Sequence, residues 1–306
     1  MTRSRSHERL LKREISGTPA HVAIIQDGNR RYARTRGADA SDGHEAGAET
    51  TERVLDWCGE LDIEELTLYA FSTENFSRDP AEREHLFDLI ESKLREFADA
   101  DRVHENGVCI RAIGEIERLP DRVQRAVEYA ESRTRGYDGF RLNIALAYGG
   151  RNELLRAARD VTAAVDRGEV MPEDIDVAAI EERLYGHPVR EVDLIVRTGG
   201  DERTSNFLPW HANGNEAAVF FCAPYWPEFS KVDFLRAIRT FESREASWRR
   251  ARARRAVALV RAVARIEIEE ARVVARRLRE TLPSGRGADV VEEFDAASER
   301  PDEPAD

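Results

Sequence analysis

Short apolar runs alternate along this chain with longer segments in which apolar residues recur every three or four positions. The short runs are rich in β-branched and aromatic residues, as in buried strands, and the longer segments have the period of amphipathic helices. Six strands are predicted, at His21–Ile25, Leu66–Phe71, Val108–Ile113, Phe140–Ala147, Val192–Arg197 and Ala217–Cys222. Helices are predicted between them, at Gly43–Glu60, Ala81–Asn106, Pro120–Arg135, Asn152–Arg167 and Val177–Tyr185. This alternation predicts an α/β fold, a single domain with a mostly parallel six-stranded sheet flanked by helices.

The last part of the chain has a different pattern. Residues 231–282 have helical character, dense in Ala and Arg, and Pro283 and Gly285 end it. Asp289–Asp306 is acidic and contains two prolines, which is typical of disorder. We therefore predict a main domain over residues 1–248, a helical extension over 249–282 and an acidic disordered tail over 283–306.

Composition excludes several classes of protein. Cys58, Cys109 and Cys222 are isolated in the sequence, which argues against a disulfide framework and a thiolate metal site. No apolar run is long enough to span a membrane, and the N-terminus lacks a signal-peptide pattern, so we expect a cytoplasmic protein. A net charge of −12 disfavours nucleic acid as a partner, and the near absence of Lys is typical of a halophile.

A first polar cluster follows the first predicted strand. Asp27 and Gly28 come directly after it, and Asn29, Arg30, Arg31 and Tyr32 continue the cluster. An aspartate at a strand end can hold Mg²⁺, backbone N–H groups at a helix start can bind phosphate, and arginines offer forked donors to it. The alternative is an ordinary Asp-Gly turn with solvated arginines.

Two more polar clusters occur at comparable positions. Ser72, Asn75 and Arg78 follow the second strand, and for this loop the alternative is a helix cap or an Asx turn. The third cluster starts at Arg197 and includes two glycines, and its members Arg197, Arg203 and Ser205 could surround one diphosphate. Its alternative is a glycine loop with surface charges. Ligands of parallel sheets bind at the carboxyl ends of the strands, so these clusters predict a Mg²⁺-dependent enzyme acting on diphosphates.

Five stretches together resemble the cis-prenyltransferase family, which includes undecaprenyl and dehydrodolichyl diphosphate synthases. The stretches are HVAIIQDGNRRYA from His21, GHEAGA from Gly43, LTLYAFSTENFSR from Leu66, LNIALAYGGRNEL from Leu142 and DLIVRTGGDERTSNFLPW from Asp193. They occur in the same order over roughly Thr18 to Ser247. The resemblance implies an α/β domain whose sheet and helices enclose an apolar tunnel, and a homodimer.

The resemblance also implies roles for individual residues. Asp27 would be the catalytic Mg²⁺ and diphosphate carboxylate, and Glu216 a second metal contact. Asn75 would be the second catalytic residue, although a neutral amide has negligible basicity and is better suited to orient substrate. The substrate-binding residues would be Gly28, Asn29, Arg30, Arg31, Tyr32, His44, Ser72, Thr73, Glu74, Phe76 and Arg78, with Arg197, Arg203, Thr204 and Ser205 for isopentenyl diphosphate.

Some positions depart from bacterial members of the family. Ala40 replaces a substrate-contacting Arg, for which Arg34 or Arg36 would have to compensate. Glu202 replaces a His near the metal, and no Arg-x-Gly element is recognisable around Arg244–Arg250. Arg30-Arg31-Tyr32 is closer to the dolichol-type enzymes.

We therefore expect an archaeal enzyme that condenses isopentenyl diphosphate repeatedly onto an allylic primer, geranylgeranyl diphosphate, to make a long polyprenyl diphosphate precursor of the glycosyl carrier lipid. Its cofactor would be Mg²⁺, and it would meet the membrane transiently to release product. The alternatives are a farnesyl-primed undecaprenyl diphosphate synthase and a non-catalytic partner subunit, although such subunits typically lack the aspartate found here at Asp27. The Arg-rich segment Arg249–Arg265 is better explained as a solvated helix than as a nucleic-acid surface.

Overall fold

The six strands form one parallel sheet in the order β3-β4-β2-β1-β5-β6. We analysed a computed structural model that describes residues 17–185, 190–211 and 217–247, together with Glu8, Lys12, Ile15 and Arg254. The strands are β1 (His21–Ile25), β2 (Glu65–Tyr69), β3 (Val108–Ile113), β4 (Phe140–Ala145), β5 (Leu194–Arg197) and β6 (Ala218–Phe221). Each lies within two residues of its predicted position, and every pairing between neighbours is parallel. The predicted fold class is confirmed.

Helices connect the strands. They are α1 (Asn29–Thr35), α2 (Ala40–Glu60), α3 (Pro80–Asp99), α4 (Asp101–Glu105), α5 (Asp121–Thr134), α6 (Gly150–Asp166) and α7 (Val177–Tyr185), and residues 231–247 are also helical. Short 3₁₀ turns occupy Thr73–Ser77, Ile116–Arg118, Pro172–Asp174 and Trp226–Glu228. The sheet is thus interleaved with helices as the sequence pattern predicts.

Both faces of the sheet are covered, and β1 shows why its sequence does not alternate. All five of its residues are buried. Val22 and Ile24 belong to one core cluster, while Ala23 and Ile25 belong to the other. A strand buried on both faces has no polar side, so a continuous apolar run is its expected signature. The larger cluster includes side chains of α2, α3 and α5.

The predicted helix Ala81–Asn106 is wrong in one respect, because it is two helices. α3 ends at Ala100, whose backbone is extended at ψ 129°, and α4 starts directly after it. Side chains of α5 bind the end of α3: Tyr129 Oη donates to Asp99 at 2.7 Å and Arg133 Nε lies 3.1 Å from the same carboxylate. The apolar period continues across the break, so the sequence pattern does not reveal it.

The order in which the chain adds strands to the sheet reverses at β1. β2 lies on one side of β1 and β5 on the other, so the connection to β5 crosses to the opposite half of the sheet. In parallel α/β sheets such a switch point opens a crevice at the carboxyl ends of the two strands. Here those ends carry Asp27 and Arg197.

The chain divides into two compact units, Met1–Arg244 and Glu245–Asp306. All six strands belong to the first unit. The predicted extension at 249–282, apart from Arg254, and the predicted tail at 283–306 lie outside the described residues, so the domain boundaries stay predictions. None of the helices in the described ranges is long and apolar enough to cross a membrane.

Candidate active site at the switch point

Asp27 and Arg197 meet across the crevice between β1 and β5. Arg197 Nη2 donates to Asp27 Oδ2 at 2.7 Å, and Arg31 Nη2 lies 3.0 Å from the other carboxylate oxygen. Burial tends to raise the pKa of Asp27, but the hydrogen bond and charge of Arg197, followed by those of Arg31, lower it below its usual value. The carboxylate is therefore ionised at neutral pH, as a metal ligand must be.

Two glycines allow the backbone to approach closely around Asp27. Gly28 has φ 107°, and a Cβ there would lie 2.7 Å from Tyr225 Cδ1. Gly199 has φ 85°, and a Cβ there would lie 2.7 Å from the Arg31 guanidinium and 3.1 Å from the Asp27 carbonyl oxygen. Any larger residue would force these groups apart, which explains glycine at both positions.

The third cluster folds around the side chain of Arg197. Its Nη1 donates to Ser205 Oγ at 2.7 Å and to the Arg203 carbonyl at 2.6 Å. Asp201 Oδ2 lies 3.3 Å from Arg197, 3.2 Å from Arg203 and 3.6 Å from Arg31. Arg197 is buried, but the Arg203 side chain is 65% exposed, so Arg203 is free to reach a ligand that enters the crevice.

The second cluster forms a 3₁₀ turn that fixes Asn75. The Ser72 backbone N–H donates to Asn75 Oδ1 at 2.8 Å. This bond fixes the direction of the amide, whose NH₂ can donate to a diphosphate oxygen. The role of Asn75 stays a prediction.

A carboxylate joins the first cluster to the second. Glu82 Oε1 lies 2.8 Å from Arg78 Nη1, 3.3 Å from His44 Nε2 and 3.8 Å from Arg30 Nε. Burial lowers the pKa of His44 to about 4, so this imidazole is neutral at pH 7. The three clusters and Glu82 bring five guanidinium groups, of Arg30, Arg31, Arg78, Arg197 and Arg203, into contact with the carboxylates of Asp27, Glu82 and Asp201. Glu74 and Glu202 belong to the same clusters. The guanidinium groups gathered at this edge of the sheet offer paired donors that suit phosphate oxygens.

An apolar cavity of about 120 Å³ begins at Asn29 and His44. It continues between the sheet and α3, where it is lined by Leu68, Leu86, Leu89, Ile90, Leu94, Phe97 and Ile144. Phe97 also lines a second cavity of about 570 Å³ that reaches the start of β3 and β4. The polar site is thus continuous with apolar space on one face of the sheet.

Other predicted site residues have different surroundings. The Tyr32 ring contacts the guanidinium of Arg36, which lies 3.9 Å from the ring centre. The same guanidinium lies 3.5 Å from the Glu228 carboxylate. The Phe76 ring packs against Phe71 at 5.1 Å.

Backbone contacts hold the remaining predicted residues. The Thr73 N–H donates to the Tyr148 carbonyl at 2.9 Å, the Glu74 carbonyl accepts from Ser77 Oγ, and the Thr204 carbonyl accepts from the Phe207 N–H. Glu216 lies outside the described residues, so its predicted metal contact is untested.

The residues present fit a magnesium ion. Across the described ranges no three His, Cys, Asp or Glu side chains come together as a ready-made metal site. Mg²⁺ does not need one, because it commonly takes one or two carboxylates and completes its shell with water and substrate phosphates. The ionised Asp27 carboxylate, in contact with Arg31 and Arg197, supplies this kind of donor.

Three residues of the site were missed at the level of sequence. Glu82 follows Arg78 by four residues, a spacing at which a carboxylate and a guanidinium often pair. Asp201 lies inside the third cluster, but the sequence does not indicate that its carboxylate contacts Arg31, Arg197 and Arg203. Thr198 Oγ1 donates to the Asp27 carbonyl at 2.7 Å and accepts from its N–H at 3.1 Å, a contact between distant segments that sequence spacing does not signal.

Comparisons with known proteins agree with this geometry. A family model described as putative undecaprenyl diphosphate synthase matches residues 25–249. A tritrans,polycis-undecaprenyl-diphosphate synthase (geranylgeranyl-diphosphate specific) from Halobacterium salinarum is 70% identical over 277 residues, covering 90% of this chain and 91% of the relative. A relative of the same name from Haloarcula marismortui is 65% identical over 292 residues, covering 95% and 96%.

A solved structure extends the likeness to the fold. Lavandulyl diphosphate synthase from Lavandula x intermedia, crystallised with dimethylallyl diphosphate, is 33% identical to this chain with a TM-score of 0.68. The match covers 73% of this chain and 95% of that protein. The family resemblance of the five sequence stretches is confirmed: the chain belongs to the undecaprenyl diphosphate synthase family and is a cis-prenyltransferase.

Proposed function

We propose that this enzyme elongates geranylgeranyl diphosphate by repeated cis-condensation with isopentenyl diphosphate, giving a long polyprenyl diphosphate that serves as precursor of the glycosyl carrier lipid. The observation that carries the proposal is the ionised Asp27, held between Arg31 and Arg197, while its near neighbours in the chain, Gln26 and Asn29, line the apolar cavity. An amphiphile with a diphosphate head and an isoprenoid tail matches this combination of arginines and apolar lining.

The charged groups form two sets, which suit the two substrates. Gly28, Arg30 and Arg31 adjoin Asn29 in the chain, and Arg78 shares Glu82 with His44; Asn29 and His44 both line the apolar cavity. This first set would bind the allylic diphosphate. Arg197, Arg203 and Ser205 lie on the β5 side and would bind isopentenyl diphosphate. Asp27 contacts both sets through Arg31 and Arg197, which would bring the two diphosphates side by side.

The reaction joins the substrates in three bond changes. The allylic C–O bond breaks and diphosphate leaves with the electron pair, while the isopentenyl double bond attacks the allylic carbon and forms the new C–C bond. A proton is then lost from the isopentenyl unit, and the double bond moves into the chain. The arginines stabilise the charge that develops on the leaving diphosphate. Asn75, a neutral amide of negligible basicity whose oxygen accepts from the Ser72 N–H, would orient substrate while a diphosphate oxygen takes the proton.

Magnesium would be held by Asp27 and, by the family resemblance, Glu216. When bound it neutralises diphosphate charge. This chain's own groups keep Asp27 ionised and aligned: the two arginines set its charge state and Thr198 fixes its backbone.

The primer is inferred from the relatives. The two halophilic relatives and a third from Methanosarcina mazei, 46% identical over 251 residues, are each described as geranylgeranyl-diphosphate specific. A farnesyl-primed enzyme and a non-catalytic partner subunit are the alternatives. The intact Asp27–Arg197 pair disfavours the second, because a non-catalytic subunit does not need these groups.

A single assay separates these alternatives. Purified full-length chain is given Mg²⁺, radiolabelled isopentenyl diphosphate and geranyl, farnesyl or geranylgeranyl diphosphate, and products are sized by chromatography. We expect the highest kcat/KM with geranylgeranyl diphosphate, and a loss of about 100-fold or more in the variant Asp27→Asn. Asp166→Asn, at the exposed end of α6, serves as control. A preference for farnesyl diphosphate would refute the primer assignment, and absence of turnover with every primer would favour the partner-subunit alternative.

Assembly and location are inferred from the family. We propose a cytoplasmic homodimer that meets the membrane transiently when the product leaves. Four exposed apolar side chains, Leu155, Met171, Ile175 and Val177, lie on α6, α7 and the segment between them and offer a surface for a second copy. Light scattering of the purified chain, with Leu155→Glu as the variant, measures whether this surface forms the dimer.

A further inference from the structure

Glu82 lies in the first turn of α3 and contacts basic side chains from three other elements. Its Oε1 accepts from Arg78 Nη1 at 2.8 Å, lies 3.3 Å from His44 Nε2 on α2, and lies 3.8 Å from Arg30 Nε on α1. The Glu82 side chain is only 15% exposed. A carboxylate that served the helix alone would bind its free N–H groups or water, whereas this one shares a single oxygen among three groups of the active site.

The negative charge of Glu82 offsets the repulsion between the positive charges of Arg30 and Arg78. The pKa of Arg78 is lowered first by burial and next by the positive charge of Arg30, which shows that the two guanidiniums repel each other. Glu82 lies between them and offsets that repulsion. Without ligand, the two arginines would otherwise tend to separate and turn toward solvent.

Glu82 also determines how His44 is protonated. A carboxylate oxygen only accepts, so the neutral His44 must carry its proton on Nε2. Its Nδ1 is then a lone pair that faces Asn29 Nδ2 at 3.5 Å, and this orients the Asn29 amide. Asn29 Oδ1 is buried and has no hydrogen-bond partner in the part of the chain that the structure describes. That oxygen lies against α2, where a Cβ on Gly47 would come within 2.6 Å of it, so the Asn29 amide is held between His44 and Gly47.

We propose that Glu82 is a positioning residue for the allylic diphosphate: it holds Arg30 and Arg78 together and orients Asn29 through His44. This inference rests on the proposed function, since it assigns these groups to the allylic substrate. Glu82 itself would not contact the substrate. Its effect would reach the substrate through four side chains of the site.

The kinetic test uses Glu82→Gln in the full-length enzyme, which keeps the shape of the side chain and removes its charge. We expect KM for the allylic diphosphate to rise about tenfold, the effect of weakening one charged hydrogen bond, while KM for isopentenyl diphosphate stays within about twofold. Glu82→Asp should recover part of the loss. Glu91→Gln is the matched control, because Glu91 lies on the same helix and pairs with Arg95 and Arg122 away from the site. An unchanged allylic KM in Glu82→Gln, or an equal rise in the control, would overturn the proposal.

A second readout needs no turnover. In ¹⁵N-histidine-labelled, ligand-free protein, the ring nitrogen shifts of His44 should show the Nε2–H tautomer, and Glu82→Ala should give a mixture of tautomers. A purely structural glutamate would change the melting temperature and leave the tautomer as it is, which would contradict our assignment. If the wild-type enzyme turned over no primer, the proposed function would fail, yet this spectrum would still test the contact between Glu82 and His44.

Discussion

Single residues of the site have charge states that follow from their neighbours. Asp27 is ionised because two guanidiniums outweigh its burial, and His44 is neutral because burial outweighs the carboxylate of Glu82. Glu153 is a third case on the opposite face of the sheet. It is 3% exposed, Tyr148 Oη donates to its Oε2 at 2.5 Å, and its Oε1 lacks a hydrogen-bond partner among the described residues.

Glu153 should make the stability of the protein depend on pH. Burial raises its pKa from 4.5 to about 7, against the hydrogen bond from Tyr148 and the charge of Arg156. The folded state therefore binds a proton more tightly than the unfolded chain, so the free energy of unfolding falls as pH rises from 4.5 through 7. One pKa unit corresponds to about 1.4 kcal/mol, so the loss attributable to Glu153 is about 3 kcal/mol.

Urea unfolding at pH 5 and pH 8, at one salt concentration, measures this effect. Wild-type protein should lose about 2.5 kcal/mol more between these pH values than Glu153→Gln, because the amide does not titrate. The same pH dependence in both proteins would show that Glu153 titrates normally in the folded state.

At the level of secondary-structure elements, the connection from β1 to α1 sets the geometry of the site. Gly28 precedes α1 with φ 107° and lies against Tyr225, and the Trp226 N–H donates to the Asp27 carbonyl at 3.0 Å. This connection turns sharply enough that Asp27 faces β5 while Arg31, one helical turn later, returns to its carboxylate. The Gly28 turn thus directs the Asp27 side chain towards β5, and Arg31 of α1 binds the same carboxylate.

Gly28→Ala should therefore be destabilising and should also lower activity. The positive φ and the approach of Cβ to Tyr225 at 2.7 Å together should cost about 1–3 kcal/mol, and the displacement would move Asp27. Gly59→Ala is the contrasting variant, since Gly59 lies within α2 and a Cβ there would meet no atom within 4 Å, and it should gain about 0.5–1 kcal/mol. Thermal unfolding and kcat/KM of both variants test this. Equal shifts in the two would contradict the argument.

Across the whole chain, acidic surface and basic site coexist. The formal net charge is −12, while the site gathers five guanidiniums that contact the carboxylates of Asp27, Glu82 and Asp201. Surface carboxylates are solvated and screened by salt, whereas the site arginines are held by partly buried partners. The attraction of the site for diphosphates is therefore a local property that the net charge conceals.

The acidic segment 283–306 offers a prediction from sequence alone. Its composition predicts disorder, so a chain that ends at residue 282 should keep kcat/KM and melting temperature close to those of the full chain. Steady-state assays and thermal unfolding of the shortened chain measure both quantities. A large fall in either would mean that this segment packs on the rest of the protein.

Local patterns in the sequence were sufficient to predict the strands, most of the helices and the three polar clusters. β1 is apolar throughout because both its faces are buried, and each cluster follows a strand because ligands of a parallel sheet bind at strand ends. These properties depend on residues close together in the chain, which is why they can be read from it. The family resemblance then added roles that spacing alone left open.

Contacts between distant segments were decided by tertiary structure. The order of the strands places β5 beside β1, so Arg197 meets Asp27 across 170 residues, and no local pattern encodes that distance. The break at Ala100 depends on side chains of α5, and the grouping of Arg30, His44 and Arg78 around Glu82 depends on the packing of three helices. Charge states follow from burial and neighbours, so the pKa shifts of Asp27, His44 and Glu153 arise only once the chain has folded.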